Sequence, residues 1–166
     1  MKYLLIALFT SVSFYSQKTS NDVQNKIIND KVAYIHFLEL GKCQCMDILI
    51  QKSKIYRTES KGKNNNLFDR HYYTLYDLGY TLPVFYKKSE IELIITDFHN
   101  NNIGSVVNFY KEKDEHIKDD YSSPFLFCNK LFEEDRMTKE LYKKLVYNPN
   151  AFISNYQSEE KYLKTK

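Results

Sequence analysis

An unbroken apolar run, Tyr3 to Phe9, follows a single charge at Lys2 and precedes a Ser/Thr-dotted stretch, Thr10 to Ser16. No other feature constrains the chain as much, because it decides the redox conditions in which everything downstream must fold. A one-charge start, a short apolar centre and small residues behind it form the layout of a secretory signal peptide. Residues 1–16 are therefore expected to be removed, with cleavage between positions 13 and 17. A cut after Ser13 places Ser11 and Ser13 at the recognition positions, whereas a cut after Ser16 leaves Gln17 first. An uncleaved anchor needs roughly 18 or more apolar residues, and neither this run nor any later one reaches that length. The expected mature protein is thus secreted or periplasmic, water-soluble and without a membrane anchor, a single domain over 17–166.

Export puts the three cysteines, Cys43, Cys45 and Cys128, in thiol-oxidising surroundings. Two of them stand in "ELGKCQCMD", one residue apart. Residues i and i+2 of a strand lie about 6.6 Å apart with parallel Cβ directions, at the outer edge of disulfide geometry. Cys43 and Cys45 are therefore not expected to bond to each other. The expected bridge joins Cys128 to Cys43 or to Cys45, and spacing does not choose between them.

The formal charge of +3 falls to about +2 once Lys2 is removed, too balanced for a nucleic-acid binder. Lysine outnumbers arginine 21 to 3, whereas bidentate phosphate and base readout favours arginine. None of the 14 asparagines opens an N-x-Ser/Thr sequon, which points towards a bacterial exit route. With only four glycines the chain carries no G-x-G-x-x-G, no phosphate loop and no G-x-S-x-G elbow, and H-E-x-x-H is absent as well.

The pattern along the chain predicts an α+β fold. Ser20, Asn21 and Asp22 offer caps for a short N-terminal helix carrying Val23, Ile27 and Ile28. "VAYIHFLEL", "MDILIQKSKIYRT", "LFDRHYYTLYDL" and "PVFYKK" are rich in β-branched and aromatic residues and read as strands. For 31–40 a continued helix stays open, since apolar residues would surround it on nearly all sides. "SKGKNNN" reads as a loop, and "EIELIITDF" and "SVVNFYK", joined by "HNNNIG", as a hairpin. "EEDRMTKELYKKLVYNP" reads as an amphipathic helix with Met137, Leu141 and Leu145 on its apolar stripe. Asp135/Lys139 and Glu140/Lys144 are i,i+4 pairs in the favourable order, and Asn148–Pro149 ends the helix. An antiparallel sheet of five or six strands with this C-terminal helix on one face is the expected architecture, followed by a short helix or a flexible tail from about residue 150.

Two constellations could carry chemistry. With Gly41–Lys42 as a two-residue turn, His36, Cys43, Cys45 and Asp47 share one face of a hairpin. Imidazole, thiolate and carboxylate together can hold Zn²⁺, and the C-x-C pair could take Cu(I). The same face carries Tyr34, Leu38, Leu40 and Leu49, so buried apolar cysteine is the competing reading, with no cofactor at all. Asp69 and His71 in "FDRHYYTLY" are the second constellation, an acid–base dyad if a strand turns both to one side. Tyrosine supplies the binding candidates: Tyr72, Tyr73, Tyr76, Tyr80 and Tyr86 interleave with charge in 70–88, a composition suited to anchoring a protein, peptide or small ligand. The expectation is an exported small binding protein, more readily non-enzymatic than catalytic. The alternatives are a small metal-dependent or acid–base hydrolase, an envelope component, or a secreted inhibitor.

Overall fold

The computed structural model describes residues 20–53 and 66–165. The expected signal peptide, the "SKGKNNN" loop up to Asn65 and the second half of "MDILIQKSKIYRT" lie outside the described residues. The described chain is helical: α1 (residues 20–28), α2 (Lys31–Lys52), α3 (Leu67–Asp77), α4 (Thr81–Phe85), α5 (Lys88–Lys111), α6 (Pro124–Leu131), α7 (Arg136–Val146) and α8 (Tyr156–Lys164). The expected α+β sheet is overturned. Among the described residues the only β pairing is a single antiparallel bridge between Tyr86 and Phe152.

α2 is the axis of the molecule. Asp30 caps it, its carboxylate accepting from the amides of Val32 (2.9 Å) and Ala33 (3.1 Å). Its buried residues, among them Ala33, Phe37, Leu40, Cys45 and Leu49, point in all directions around the helix. A helix apolar on every side must be wrapped, and α3, α4, α5, α6 and α7 all pack against it. β-Propensity in "VAYIHFLEL" yields to that burial, because a central helix is free to carry aromatic and β-branched residues wherever a neighbour covers them. Gly41 is not a turn but the midpoint of α2. A Cβ there would lie 2.7 Å from Cγ of Phe132, so the missing side chain is where the Phe132 ring sits.

The expected hairpin over 91–111 is one helix, α5. Ile91, Ile95 and His99 are buried at four-residue intervals while Leu93 and Asp97 between them are exposed, whereas a strand would turn all five to one face. Asn102 is accommodated within it by donating to the carbonyl of Phe98 (2.8 Å). The strand expected over "LFDRHYYTLYDL" is α3, which buries Phe68, Tyr72 and Leu75 along one stripe. "PVFYKK" contributes the end of the short α4 and the lone bridge rather than a sheet strand.

The amphipathic helix read near the C-terminus is present as α7, with Leu141 and Leu145 buried but Met137 about half exposed. Asp135 forms a capping box with Thr138, and Lys139 pairs with Glu134 (3.4 Å) rather than with Asp135. After it α8 docks on α1: the Lys26 ammonium donates to the carbonyls of Tyr162 (2.6 Å) and Thr165 (2.5 Å). Glu159, buried beside them, accepts from Ser154 Oγ (2.9 Å) and the Asn155 amide (3.0 Å). Among the described residues no helix is long and apolar enough to cross a membrane.

Candidate functional site

The constellation His36, Cys43, Cys45 and Asp47 required a hairpin, and a single helix takes it apart. Eleven residues of α-helix separate His36 from Asp47 by about 16 Å. Cys45 is bonded to Cys128, which joins α2 to α6 with a Cα–Cα distance of 5.6 Å. Cys43, two residues away and turned to another side of the helix, is the free thiol, partly buried. Burial first, and then the carboxylates of Asp47 and Glu39, push that thiol up to about 11, so at neutral pH it carries almost no thiolate.

Asp47 caps a helix other than its own. Its buried carboxylate accepts from the amides of Leu67 (2.9 Å) and Phe68 (2.9 Å), while Asn66 accepts from Asp69 N (2.9 Å). The amides that open α3 are thereby satisfied in the interior, where an unpaired N–H is costly. Burial raises the Asp47 pKa against the lowering effect of those two amides. Among the described residues no group of three or more His, Cys, Asp or Glu side chains could hold a metal.

Asp69 and His71 are likewise separated, since residues two apart on a helix face different directions. Asp69 pairs with the Lys88 ammonium at the start of α5. His71 meets Glu39 of α2, Nε2 to Oε2 at 3.3 Å. His36 lies in the same neighbourhood, its ring edge-on to Tyr80 at 4.3 Å between centroids. Burial chiefly, with His71 adding to it, holds the His36 imidazole below its ordinary pKa against the pull of Glu39 and Asp30.

The five tyrosines divide. Tyr72 and Tyr86 belong to the core, where Tyr86 donates to the carbonyl of Val146 (3.1 Å) and Tyr72 reaches those of Tyr86 (3.3 Å) and Pro83 (3.4 Å). Tyr73, Tyr76 and Tyr80 reach solvent, with Leu78 between them, at exposures of 54, 55, 38 and 67% respectively. Four large side chains are thus presented within eight residues, at the corner where α3 ends and Gly79 (φ 73°) turns the chain towards α4.

Sequence reasoning missed a second surface, a groove of about 320 Å³ between the α1–α2 corner and α7. Ile28 and the rings of Tyr34 and Tyr142, 5.3 Å apart and tilted by 48°, supply its apolar part. Both hydroxyls are engaged within the protein: Tyr142 donates to the carbonyl of Ile27 (3.0 Å), and Tyr34 hydrogen-bonds Thr138 Oγ1 (2.8 Å). Around them stand Lys31, Lys139 and Lys143, with Asp30 and Glu140 as the acids. The available signal was the pair Asn29–Asp30 after Ile27–Ile28, which marks a break between two helices once 31–40 is read as helical. Set beside known protein families, curated proteins and solved structures, the chain matches no family model, no curated protein and no solved structure.

Proposed function

We propose that this protein is an exported, disulfide-linked helical domain that acts by binding a protein partner through the α3–α4 corner. The observation that carries the reading is the exposure of Tyr73, Tyr76, Leu78 and Tyr80 within one short stretch. α3 already buries Phe68, Tyr72 and Leu75 against the core; Tyr73 rests one edge on Tyr72 and Tyr80 one edge on His36, and the remaining surface of these rings, with Tyr76 and Leu78, is left to solvent. Tyrosine at such a position combines apolar area with a polar tip and loses little side-chain entropy when it is covered, which is why it recurs among interface anchors. Secretion, or retention in a periplasm, is the matching location: a bond between cysteines of two core helices is at home in an oxidising compartment and rare in a reducing cytosol.

A photo-reactive phenylalanine analogue at position 76, in protein made by its native host, tests the reading. The expected result is a discrete cross-linked species from position 76 and none when the analogue replaces Lys161, exposed on α8. Equal labelling from both positions, or none from either, overturns it.

A further inference from the structure

We infer that His36, His71 and Glu39 form an acid-sensitive latch that holds the Tyr80 ring against α2 at neutral pH and releases it in acid. Tyr80 is one of the four exposed side chains at the α3–α4 corner. Control of partner binding by the latch rests on the reading of that corner; the latch itself does not, and it is tested without a partner.

Geometry supplies the case. His36 and Glu39 are about one turn apart on α2 and therefore share a side of it. α3 brings His71 to the same place, its Nε2 3.3 Å from Glu39 Oε2. Two imidazoles thus stand beside one carboxylate. Tyr80, the residue that opens α4, completes the cluster, its ring meeting the His36 ring at 4.3 Å between centroids and an inclination of 73°. His36 Nδ1 is buried there and has no hydrogen-bond partner.

Charge gives the direction. The groups that act on the His36 ring are Glu39 and Asp30 from α2 and its cap, and His71 from α3; α4 carries no charged side chain. Asp30 keeps its charge, but its oxygens are fixed by the Val32 and Ala33 amides, Thr81 and Tyr162. Glu39 is then the carboxylate an imidazolium can approach, and a charged His71 takes it while repelling a charged His36. An imidazolium carries hydrogen on both nitrogens, so a charged His36 in place would hold an Nδ1–H that nothing accepts. Leaving that donor buried is worse than losing an edge contact between two rings. The charged ring therefore turns out to water, and Tyr80 loses its neighbour. Burial and His71 hold the docked His36 below its ordinary pKa, so the docked form binds the proton less tightly than the released one, and falling pH favours release. Such linkage is reciprocal: removing Tyr80 must strengthen the hold of His36 on its proton.

The test is a titration of the disulfide-bonded protein from about pH 7.5 to about pH 5, following the histidine and tyrosine ring protons by NMR. Cross-relaxation between the Tyr80 and His36 rings is expected at the start and lost with the His36 midpoint, while that between Tyr86 and Phe152, whose rings meet in the core at 5.7 Å, persists. Tyr80→Ala should raise the His36 midpoint towards about 6.5, and His71→Gln should raise it too, carrying the loss of the Tyr80 contact with it. A Tyr80–His36 contact that survives protonation of His36 overturns the inference. So does a His36 midpoint that Tyr80→Ala leaves in place or lowers, the latter being the mark of a cation held on the tyrosine face. If His71→Gln lowers the thermal midpoint, Glu39→Gln replaces it: a lowered His36 midpoint supports the latch, and an unchanged one overturns it.

Discussion

At the scale of single residues, Gly41 shows most plainly how context decides the meaning of an amino acid. In an isolated window Gly-Lys between two apolar runs signals a turn; inside α2 the same glycine is the seat of the Phe132 ring. Alanine is the better helix former by about 1 kcal/mol, so on propensity alone Gly41→Ala should stabilise. Steric overlap argues the reverse, since inserting a carbon into a filled core costs about 1–3 kcal/mol. The overlap should prevail: urea denaturation of Gly41→Ala is expected to show a net loss, partly recovered when Phe132→Leu is added. A midpoint at or above that of the parent protein would mean that the ring moves aside freely. The cysteines teach a related lesson. On a strand Cys43 and Cys45 share a face and are equivalent partners for Cys128, whereas on a helix they diverge and only Cys45 looks into α6.

Elements differ in how much of themselves they display in sequence. α7 was legible because it is half exposed: Leu141 and Leu145 alternate with charged residues at helical spacing, and Asp135 with Thr138 marks its start. α2 was not, because complete wrapping erases amphipathic periodicity and leaves only composition, which in this tyrosine- and isoleucine-rich chain resembles strand. α5 lies between these cases. Its Ile91–Ile95–His99 stripe is helical, but three consecutive asparagines and Gly104 imitate a turn. Of the two surfaces, the exposed tyrosines could be read directly, since they lie close together in sequence; the groove could not, since it joins residues more than a hundred positions apart. The bridge between α2 and α6 gives this scale its prediction. Closing a loop across 83 positions of sequence restricts the unfolded chain by about 4.5 kcal/mol on the chain-entropy account. Reduction by dithiothreitol should therefore lower the urea midpoint substantially, while the non-reduced, denatured protein should titrate as a single thiol, that of Cys43. An unchanged midpoint after verified reduction would show that α6 is held by packing alone.

For the whole molecule, stability depends on keeping the helices packed around α2, and acid is the condition that opposes this. His99 is wholly buried, its Nδ1 meets the side-chain oxygen of Asn100 (3.1 Å), and its Nε2 has no hydrogen-bond partner. Charging the ring would place a second N–H where nothing accepts it. Burial first, with the Lys52 ammonium adding to it, accordingly lowers the His99 pKa, while Asn100 and Asp120 pull the other way. Unfolded, His99 titrates near 6.5. Between that value and its lower folded one the unfolded chain binds more protons, so stability is complete above about pH 6.5 and declines as pH falls, by at most about 1.4 kcal/mol per unit for each such histidine. His36 shifts in the same direction and adds to the decline. Asp47, with a raised pKa, acts oppositely and at lower pH, because above 3.8 it is the folded carboxyl that holds its proton more tightly. The histidine window is therefore read from pH 7 down to pH 5. Over that interval the urea midpoint should fall for the parent protein and fall less steeply for His99→Leu, which keeps the site filled and removes the titrating group. Equal slopes for the two proteins would assign the acid sensitivity to His36 and its neighbours at the α2–α3 contact instead.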